Sequence, residues 1–488
     1  MKFTYTFLIL FILTAFSIQG CDDFDDHEIP DDIKVNDFIW KGLNQYYLWQ
    51  ADVPDLADSR FTDQLDLNNF LRGYSEPENL FQHLLNKPIS QFPREQAIDR
   101  FSVIFSDYTL LEGILSGTTK NNGADYGLYA KTNSGNDIYG VIRYILPNSD
   151  AASKDIHRGD LFYAVNGTPL TRQNYSELLA NETYTLNLAD YNSGNFTPNG
   201  RSVTLTKSVI SENPVYLSKV INSGSHKIGY LMYNGFYPNY ETQLNDAFGQ
   251  LKAAGITDFV LDLRYNSGGS VETATHLASM ITGQFGGQVF AKEQWNAKVE
   301  DYYASHNPEN LYNYFGNRIN TGAAINTLEM NKIYVLTTAS TASASELVIN
   351  GLAPYITVIQ IGDTTVGKNV GSITMYDSPT FSKKDISSKH RYAMQPLVLK
   401  IVNKNGFGDY VQGLQPNFKF KENLDNLGVL GDANEPYLNT AILKITGAGK
   451  QLPQNPEQVF DNFKDSKSIL PFGTDMYKEK LPEGFGNF

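Results

Sequence analysis

The spacing of apolar positions changes three times along the chain of 488 residues. Over 33–123 apolar residues recur at intervals of three and four: Val35, Phe38, Ile39, Leu43 and Tyr46, then Leu67, Phe70 and Leu71, then Leu80, Phe81, Leu84 and Leu85. That period lines one face of a helix, so a packed helical subdomain is expected there. Over 124–208 the period falls to two. Tyr139 to Ile145 alternates, a turn follows at 147–152, and Val203 to Thr206 reads as another strand. This is a β-rich segment. Over 209–450 short apolar runs at 227–233, 259–263, 333–337 and 358–361 read as buried strands. They alternate with helical stretches at 240–254, 271–282 and 343–353. Such alternation predicts an α/β core with largely parallel pairing. From 451 to 488 Pro, Asn, Lys and Gly are frequent, and a loosely packed C-terminal tail is expected.

Composition narrows this picture. Hydrophobic residues make up 41% and charged residues 19%, which fits globular domains rather than a disordered chain. The net charge of −14 speaks against a nucleic-acid partner. The single cysteine, Cys21, excludes an intramolecular disulfide. Residues 1–20 read as a signal peptide: Lys2 gives a positive start, and the apolar stretch from Phe7 to Ile18 is too short for an ordinary membrane span. The run Ser17-Ile18-Gln19-Gly20-Cys21 resembles a bacterial lipobox, which implies lipid attachment at Cys21; the alternative is a plain secretory signal with an incidental cysteine. Lipid chains there would anchor an otherwise soluble body to a membrane in the cell envelope, in the periplasm or at the outer surface. The acidic residues within 21–32 then form a solvated tether.

Three short segments carry candidate chemistry. Ser343 opens a predicted helix in T-A-S-A-S-E, and Ser343 with Glu346 has the spacing of a helix capping box. A serine at that position also sits beside the open N–H of Ala344. The run D-L-R-Y-N-S-G-G at 262–269 takes a predicted strand into a glycine turn, where the backbone can approach a ligand closely. Lys368 follows Gly367; alone, it reads as a surface lysine. Neither glycine-rich phosphate-binding spacing occurs. His83, His276 and His390 fall in no triad motif and read as structural, and no cluster has metal-ligand spacing, so neither metal nor cofactor is expected.

Two resemblances connect these pieces. Gly159-Asp160 followed by Val165-Asn166-Gly167 resembles a PDZ domain of the bacterial protease type, with Gly127, Leu128 and Tyr129 where its peptide-carboxylate loop would fall. A PDZ domain adds a peptide as an extra strand. The joint spacing of D-L-R-x-N-x-G-G, S-A-S-E and G-K, with Gly413 to Asn417 and Leu430 to Leu438 further on, resembles the C-terminal processing (tail-specific) serine peptidases. That resemblance implies an α/β fold with a ClpP/crotonase-like core, an inserted PDZ domain and an N-terminal helical subdomain. It implies Ser343 as nucleophile and Lys368 as general base, with the N–H groups of Gly268 and Ala344 as oxyanion hole and Glu346 in support. The implied substrates are proteins or peptides with unfolded C-terminal tails.

The sequence departs from the family pattern at Ser372, where many members carry a glutamine that orients the lysine, and at Asn417, where relatives often have aspartate. A catalytically weak peptide-binding lipoprotein is the alternative that Ser372 leaves open. Acyl-CoA chemistry of the crotonase kind conflicts with an export signal.

Overall fold

The computed structural model describes residues 28–131, 135–192, 195–448, 460–469, 472–474 and 476–485. The chain divides into two compact units, the first holding residues up to 45 together with 49–98, the second holding 46–48 and everything from 99 onwards. Cys21 and the signal segment lie outside the described residues.

The first unit is helical, as the three-and-four spacing requires. Its helices include Lys34–Tyr46, apart from the last residue, Gln64–Leu71 and Pro77–His83. Phe38, Ile39, Leu43, Leu67, Leu71, Leu80, Phe81 and Leu84 are buried. Asp63 caps the second helix by accepting from the Asp66 N–H. The helical pattern expected as far as 123 stops at 98. Residues 103–121 form the strand Val103–Phe105, the helix Tyr108–Leu115 and the strand Thr118–Asn121, all within the second unit.

The second unit has an α/β core. Its six-stranded sheet runs in the order Val215–Ser223, His226–Tyr233, Asp258–Asp262, Lys332–Thr337, Thr357–Gly362 and Phe418–Lys419. The first pair is antiparallel and the rest are parallel. The four apolar runs read from the sequence are thus the four consecutive central strands. Helices Glu241–Ala254, Val271–Thr282, Ala344–Leu352 and Pro436–Thr446 accompany them. Tyr230, Met232, Val260, Leu336 and Ile361 pack against Leu438, Ala441 and Ile442 in one core cluster. Functional loops of such a sheet gather at the carboxyl ends of its strands, which here places the residues after Asp262 and Thr337 together.

A second sheet has the order Gly269–Ser270, Met476–Lys478, Val370–Ile373, Leu397–Asn403, Val289–Trp295 and Tyr312–Tyr314. The β-rich segment forms a further sheet. Its strands run in the order Phe460–Asp465, Ala124–Lys131, Ile138–Ile145, Leu161–Val165, Thr183–Asn192 and Asn195–Thr206, over a core of Leu128, Ile142, Phe162, Leu186 and Leu205. The C-terminal segment is therefore not the loose tail expected from its composition. It supplies one strand to each of these two sheets. Phe460, Met476 and Tyr477 are buried, and these few apolar residues among polar neighbours are what hold it.

Candidate active site

Ser343 is the residue before the helix Ala344–Leu352, and its backbone is strained, with φ 65° and ψ −117°. A non-glycine residue in such a region costs about 1–3 kcal/mol and persists only where its surroundings enforce it. The enforcement is visible. The Ala342 N–H donates to the Asn266 carbonyl at 3.1 Å, Ser345 Oγ donates to the same carbonyl at 3.2 Å, and Thr341 Oγ1 donates to the Leu263 carbonyl at 2.9 Å. The serine loop is thereby tied to the loop after Asp262. The capping box read from the sequence is half made: Glu346 Oε2 accepts from the Ser343 N–H at 2.7 Å, while Ser343 Oγ is buried without a hydrogen-bond partner.

Glu346 is the centre of the arrangement. Oε2 also accepts from the Lys368 N–H at 2.9 Å, so the Ser343 and Lys368 segments share one oxygen atom. Oε1 accepts from the Gly367 N–H at 2.7 Å and from Thr365 Oγ1. Burial pushes the Glu346 carboxyl up, against donors that hold it down: Thr365 and the N–H groups of Lys368, Ser343 and Gly367. Gly367 has φ 85°, and a Cβ there would meet the Val411 carbonyl oxygen at 2.3 Å, so the turn before Lys368 requires glycine.

Lys368 is fully buried, not the surface lysine its local sequence suggests. Its Nζ donates to the Thr474 carbonyl at 2.6 Å and lies 4.8 Å from the ring centre of Phe101 and 5.4 Å from that of Phe472. Ser372 plays no part in this contact. Its Oγ donates to the Met476 carbonyl at 3.3 Å, further along the same C-terminal segment. Thr474, Phe101 and Phe472 were not legible as site residues, because nothing in their local sequence sets them apart.

The glycine loop has its own anchor. Arg264 is fully buried and pairs with Asp262, with both oxygens of Glu435 at 2.7 and 2.9 Å, and with Glu422 at 3.3 Å. The fork geometry of guanidinium suits such bidentate pairing. Asn266 Nδ2 donates to the Tyr233 carbonyl, and Oδ1 accepts from the Gly268 N–H at 2.9 Å. Gly269 has φ 137°, and a Cβ on it would strike the Phe236 carbonyl oxygen at 2.3 Å. Of the two expected oxyanion donors, the Ala344 N–H opens a helix and has no carbonyl to receive it within that helix. The Gly268 N–H is engaged by Asn266.

The remaining candidates are placed as follows. Gly127, Leu128 and Tyr129 lie within the strand Ala124–Lys131 rather than in a loop, and the edge they offer is paired with Phe460–Asp465. His276 is bonded to Glu241, His390 to Asp377 and His83 to Asp55, so each of the three has a carboxylate partner. Asn417 Oδ1 accepts from the Gln360 N–H at 2.7 Å, a structural role. Among the described residues no group of three or more His, Cys, Asp or Glu side chains could hold a metal ion, and no helix is long and apolar enough to cross a membrane.

The mixed α/β architecture is that of the S41 proteases. A solved structure assigned to that family, from Bacteroides fragilis, superposes with a TM-score of 0.64 at 26% identity, covering 87% of this chain and 99% of the other. Residues 227–380 match the peptidase family S41 domain, and residues 34–103 match the peptidase S41 N-terminal domain. A carboxyl-terminal-processing protease of Picosynechococcus sp. is 26% identical over 262 residues, 52% of this chain and 57% of that protein. The chloroplastic carboxyl-terminal-processing peptidase 2 of Arabidopsis thaliana is 32% identical over 177 residues, 35% of this chain and 30% of that one. The chain spans about half the length of these curated relatives, or less. The stretches 227–380 and 34–103 are similar to the S41 peptidase domain and the S41 N-terminal domain, and the curated relatives named are C-terminal-processing peptidases.

Proposed function

We propose that this chain is a serine endopeptidase of the cell envelope, in which Ser343 is the nucleophile and Lys368 the general base. The observation that carries the proposal is Glu346, a buried carboxylate that receives the N–H groups of both Ser343 and Lys368 on one oxygen. A lysine base must give up its proton near neutral pH, and an apolar, water-poor setting favours the neutral amine. Burial of Lys368 works in that direction, while the faces of Phe101 and Phe472 and the Thr474 carbonyl favour the ammonium, contacts the amine leaves when it acts as base.

In the reaction, the Lys368 amine takes the Ser343 Oγ proton as the oxygen attacks the scissile carbonyl. The carbonyl oxygen gains negative charge and is met by the Ala344 N–H. The Gly268 N–H joins it by exchanging Asn266 Oδ1 for the oxyanion. The tetrahedral intermediate collapses, the C–N bond breaks, and Lys368 returns the proton to the leaving amine. Water, deprotonated by the same amine, then attacks the acyl ester and releases Ser343. Substrates are protein or peptide segments, captured as an added strand on the β-rich domain around Gly127, Leu128 and Tyr129, in the manner of a PDZ domain, and ending in unfolded C-terminal tails. Cys21 carries a lipid that holds the body at a membrane.

A second reading, a weak or inactive peptide-binding lipoprotein, is favoured by one observation: the Lys368 amine is bonded to the Thr474 carbonyl while Ser343 Oγ has no partner. Residues 22–488 incubated with casein or a disordered-tail substrate separate the two. The proposal expects cleavage by the unaltered chain and a fall of about 10⁴-fold or more in kcat for Ser343→Ala and for Lys368→Ala. Equal cleavage by all three would remove the dyad, and binding without cleavage would establish the second reading. Mass spectrometry of the mature N-terminus tests the lipid on Cys21.

A further inference from the structure

The outer edge of the strand Ala124–Lys131 is where a peptide would be added, and the chain already fills it with its own residues. Phe460–Asp465 pairs antiparallel with that strand, Phe460 opposite Lys131 and Asp465 opposite Gly127. The pairing slips between Asn462 and Lys464, leaving Phe463 as the bulged residue. The Phe463 ring packs on Tyr175, in the short helix beside the sheet, with centroids 5.3 Å apart, and the Arg172 guanidinium lies 4.7 Å from the same ring. An added strand with one side chain set against a flanking helix is the arrangement of a bound peptide.

Side chains hold this strand at both ends: Phe460 packs among Tyr139, Tyr191 and Phe196, the last with ring centres 4.8 Å apart, and Asp465 pairs with the buried Arg143 at 3.4 Å. Asp461, Asn462 and Lys464 are exposed and Phe463 is half-buried, so Phe460 is the one fully buried side chain in it. It is followed by firmer contacts. Ser466 Oγ donates to Asp125 Oδ2 at 2.6 Å, and Lys467 Nζ donates to the Asn234 carbonyl at 2.8 Å. Nine residues beyond Asp465 the Thr474 carbonyl takes the Lys368 amine, and Met476–Lys478 then lies between Gly269–Ser270 and Val370–Ile373, parallel to both. Met476 is fully buried and Lys478 pairs with Glu293 at 2.8 Å, so that last strand is part of the core.

We propose that Phe460–Asp465 is a built-in ligand of the β-rich domain, which an incoming peptide must displace. The inference rests on the reading of the 124–131 edge as the capture site. Intramolecular attachment gives the resident strand a high effective concentration, so a free peptide competes from a disadvantage. A resident strand bonded chiefly through its backbone is tolerant of replacement, because any extended peptide offers the same N–H and C=O groups.

The test uses the full chain carrying Ser343→Ala, so that no chemistry intervenes, and a fluorescently labelled synthetic peptide of the sequence 460–469. Phe463→Asp in that background is expected to tighten peptide binding by at least about tenfold, the gain from removing the internal competitor. Peptide added to the chain with its tail unaltered is expected to raise deuterium uptake at the amides of Phe460–Asp465. Equal affinity for both tails together with unchanged uptake would overturn the proposal. The uptake measurement stands even where Phe463→Asp fails to fold. Neither readout needs peptidase activity, so a chain that fails to cleave casein leaves this test intact. In the catalytic background, Phe463→Asp is expected to raise kcat/KM by about tenfold; cleavage unchanged by that substitution counts against the resident strand, not against the dyad.

Discussion

The loops around Ser343 and Lys368 and the strand Phe460–Asp465 are both held by backbone hydrogen bonds, yet by different means. Around Ser343 and Lys368, the backbone is received by buried charged or polar side chains: Glu346 takes the N–H groups of Ser343, Gly367 and Lys368, and Arg264, locked between Asp262 and Glu435, fixes the glycine loop. At the β-rich edge, strand pairs with strand, and half of the side chains are exposed. Charge-assisted bonds inside a protein are strong and leave costly orphans when broken. Strand pairing at an edge can be exchanged for pairing with another chain. One region is built to keep a geometry and the other to swap partners.

That contrast breaks first at Arg264. Its removal, as in Arg264→Met, leaves Asp262 and Glu435 buried without their cation. Breaking a buried charge network by removing one partner costs about 3–5 kcal/mol. Urea denaturation of Arg264→Met is expected to show a loss of that size. A loss below about 1 kcal/mol would mean that the glycine loop is held by its backbone alone, and the distinction between the two regions would fail.

Glu346→Gln is the next test. The carboxylate accepts from Ser343, Thr365, Gly367 and Lys368 at once. A glutamine offers one acceptor oxygen and turns two donors toward the others. Hydrogen bonds to a charged group are worth about 1.5–3 kcal/mol, so a stability loss of about 2–4 kcal/mol is expected by denaturant titration. Cleavage, if present in the unaltered chain, should fall with it through kcat rather than KM, because the substitution misplaces the reacting groups and leaves the capture edge alone.

The four central strands and the helices 241–254, 271–282 and 344–352 were legible because their apolar residues repeat with the period of the element they form. The residues 262–269, 343 and 368 were legible as a set through family likeness, since Ser343 alone reads as a cap and Lys368 alone as surface. The tail was misread for a physical reason. Phe460, Phe463, Met476 and Tyr477 are too few and too widely spaced to give a periodic signal, and the strands they hold are completed by partners more than 100 residues away in sequence. For the same reason Thr474 was invisible: a backbone carbonyl binds Lys368, and a carbonyl has no signature in sequence. Arg264 was read only as part of the D-L-R motif. Its burial depends on Glu422 and Glu435, which local pattern does not connect to it.

His276 and Glu241 form an intermediate case, a buried pin that titrates. The ring Nδ1 lies 2.9 Å from Glu241 Oε2, and Glu241 also receives Thr273 Oγ1 and the Asn320 N–H. Burial alone would depress the imidazole, but the hydrogen bond and charge of Glu241, with Glu272 and Glu479 nearby, hold it above its ordinary 6.5. Burial alone would raise the carboxyl, but His276, Asn320 and Thr273 hold it below its ordinary 4.5. The raised imidazole stabilises the fold fully below pH 6.5 and loses that contribution as pH rises through its folded value. The depressed carboxyl stabilises fully above pH 4.5 and loses its contribution as pH falls through its folded value. Both contributions are therefore present between pH 4.5 and 6.5. His276→Gln should cost about 1–2 kcal/mol at pH 6, a charge-assisted hydrogen bond replaced by a neutral one, and less once the pH is raised through the folded value of the imidazole, where its proton is lost. Stability curves at the two pH values give the comparison. An equal cost at both would show that His276 acts by packing alone.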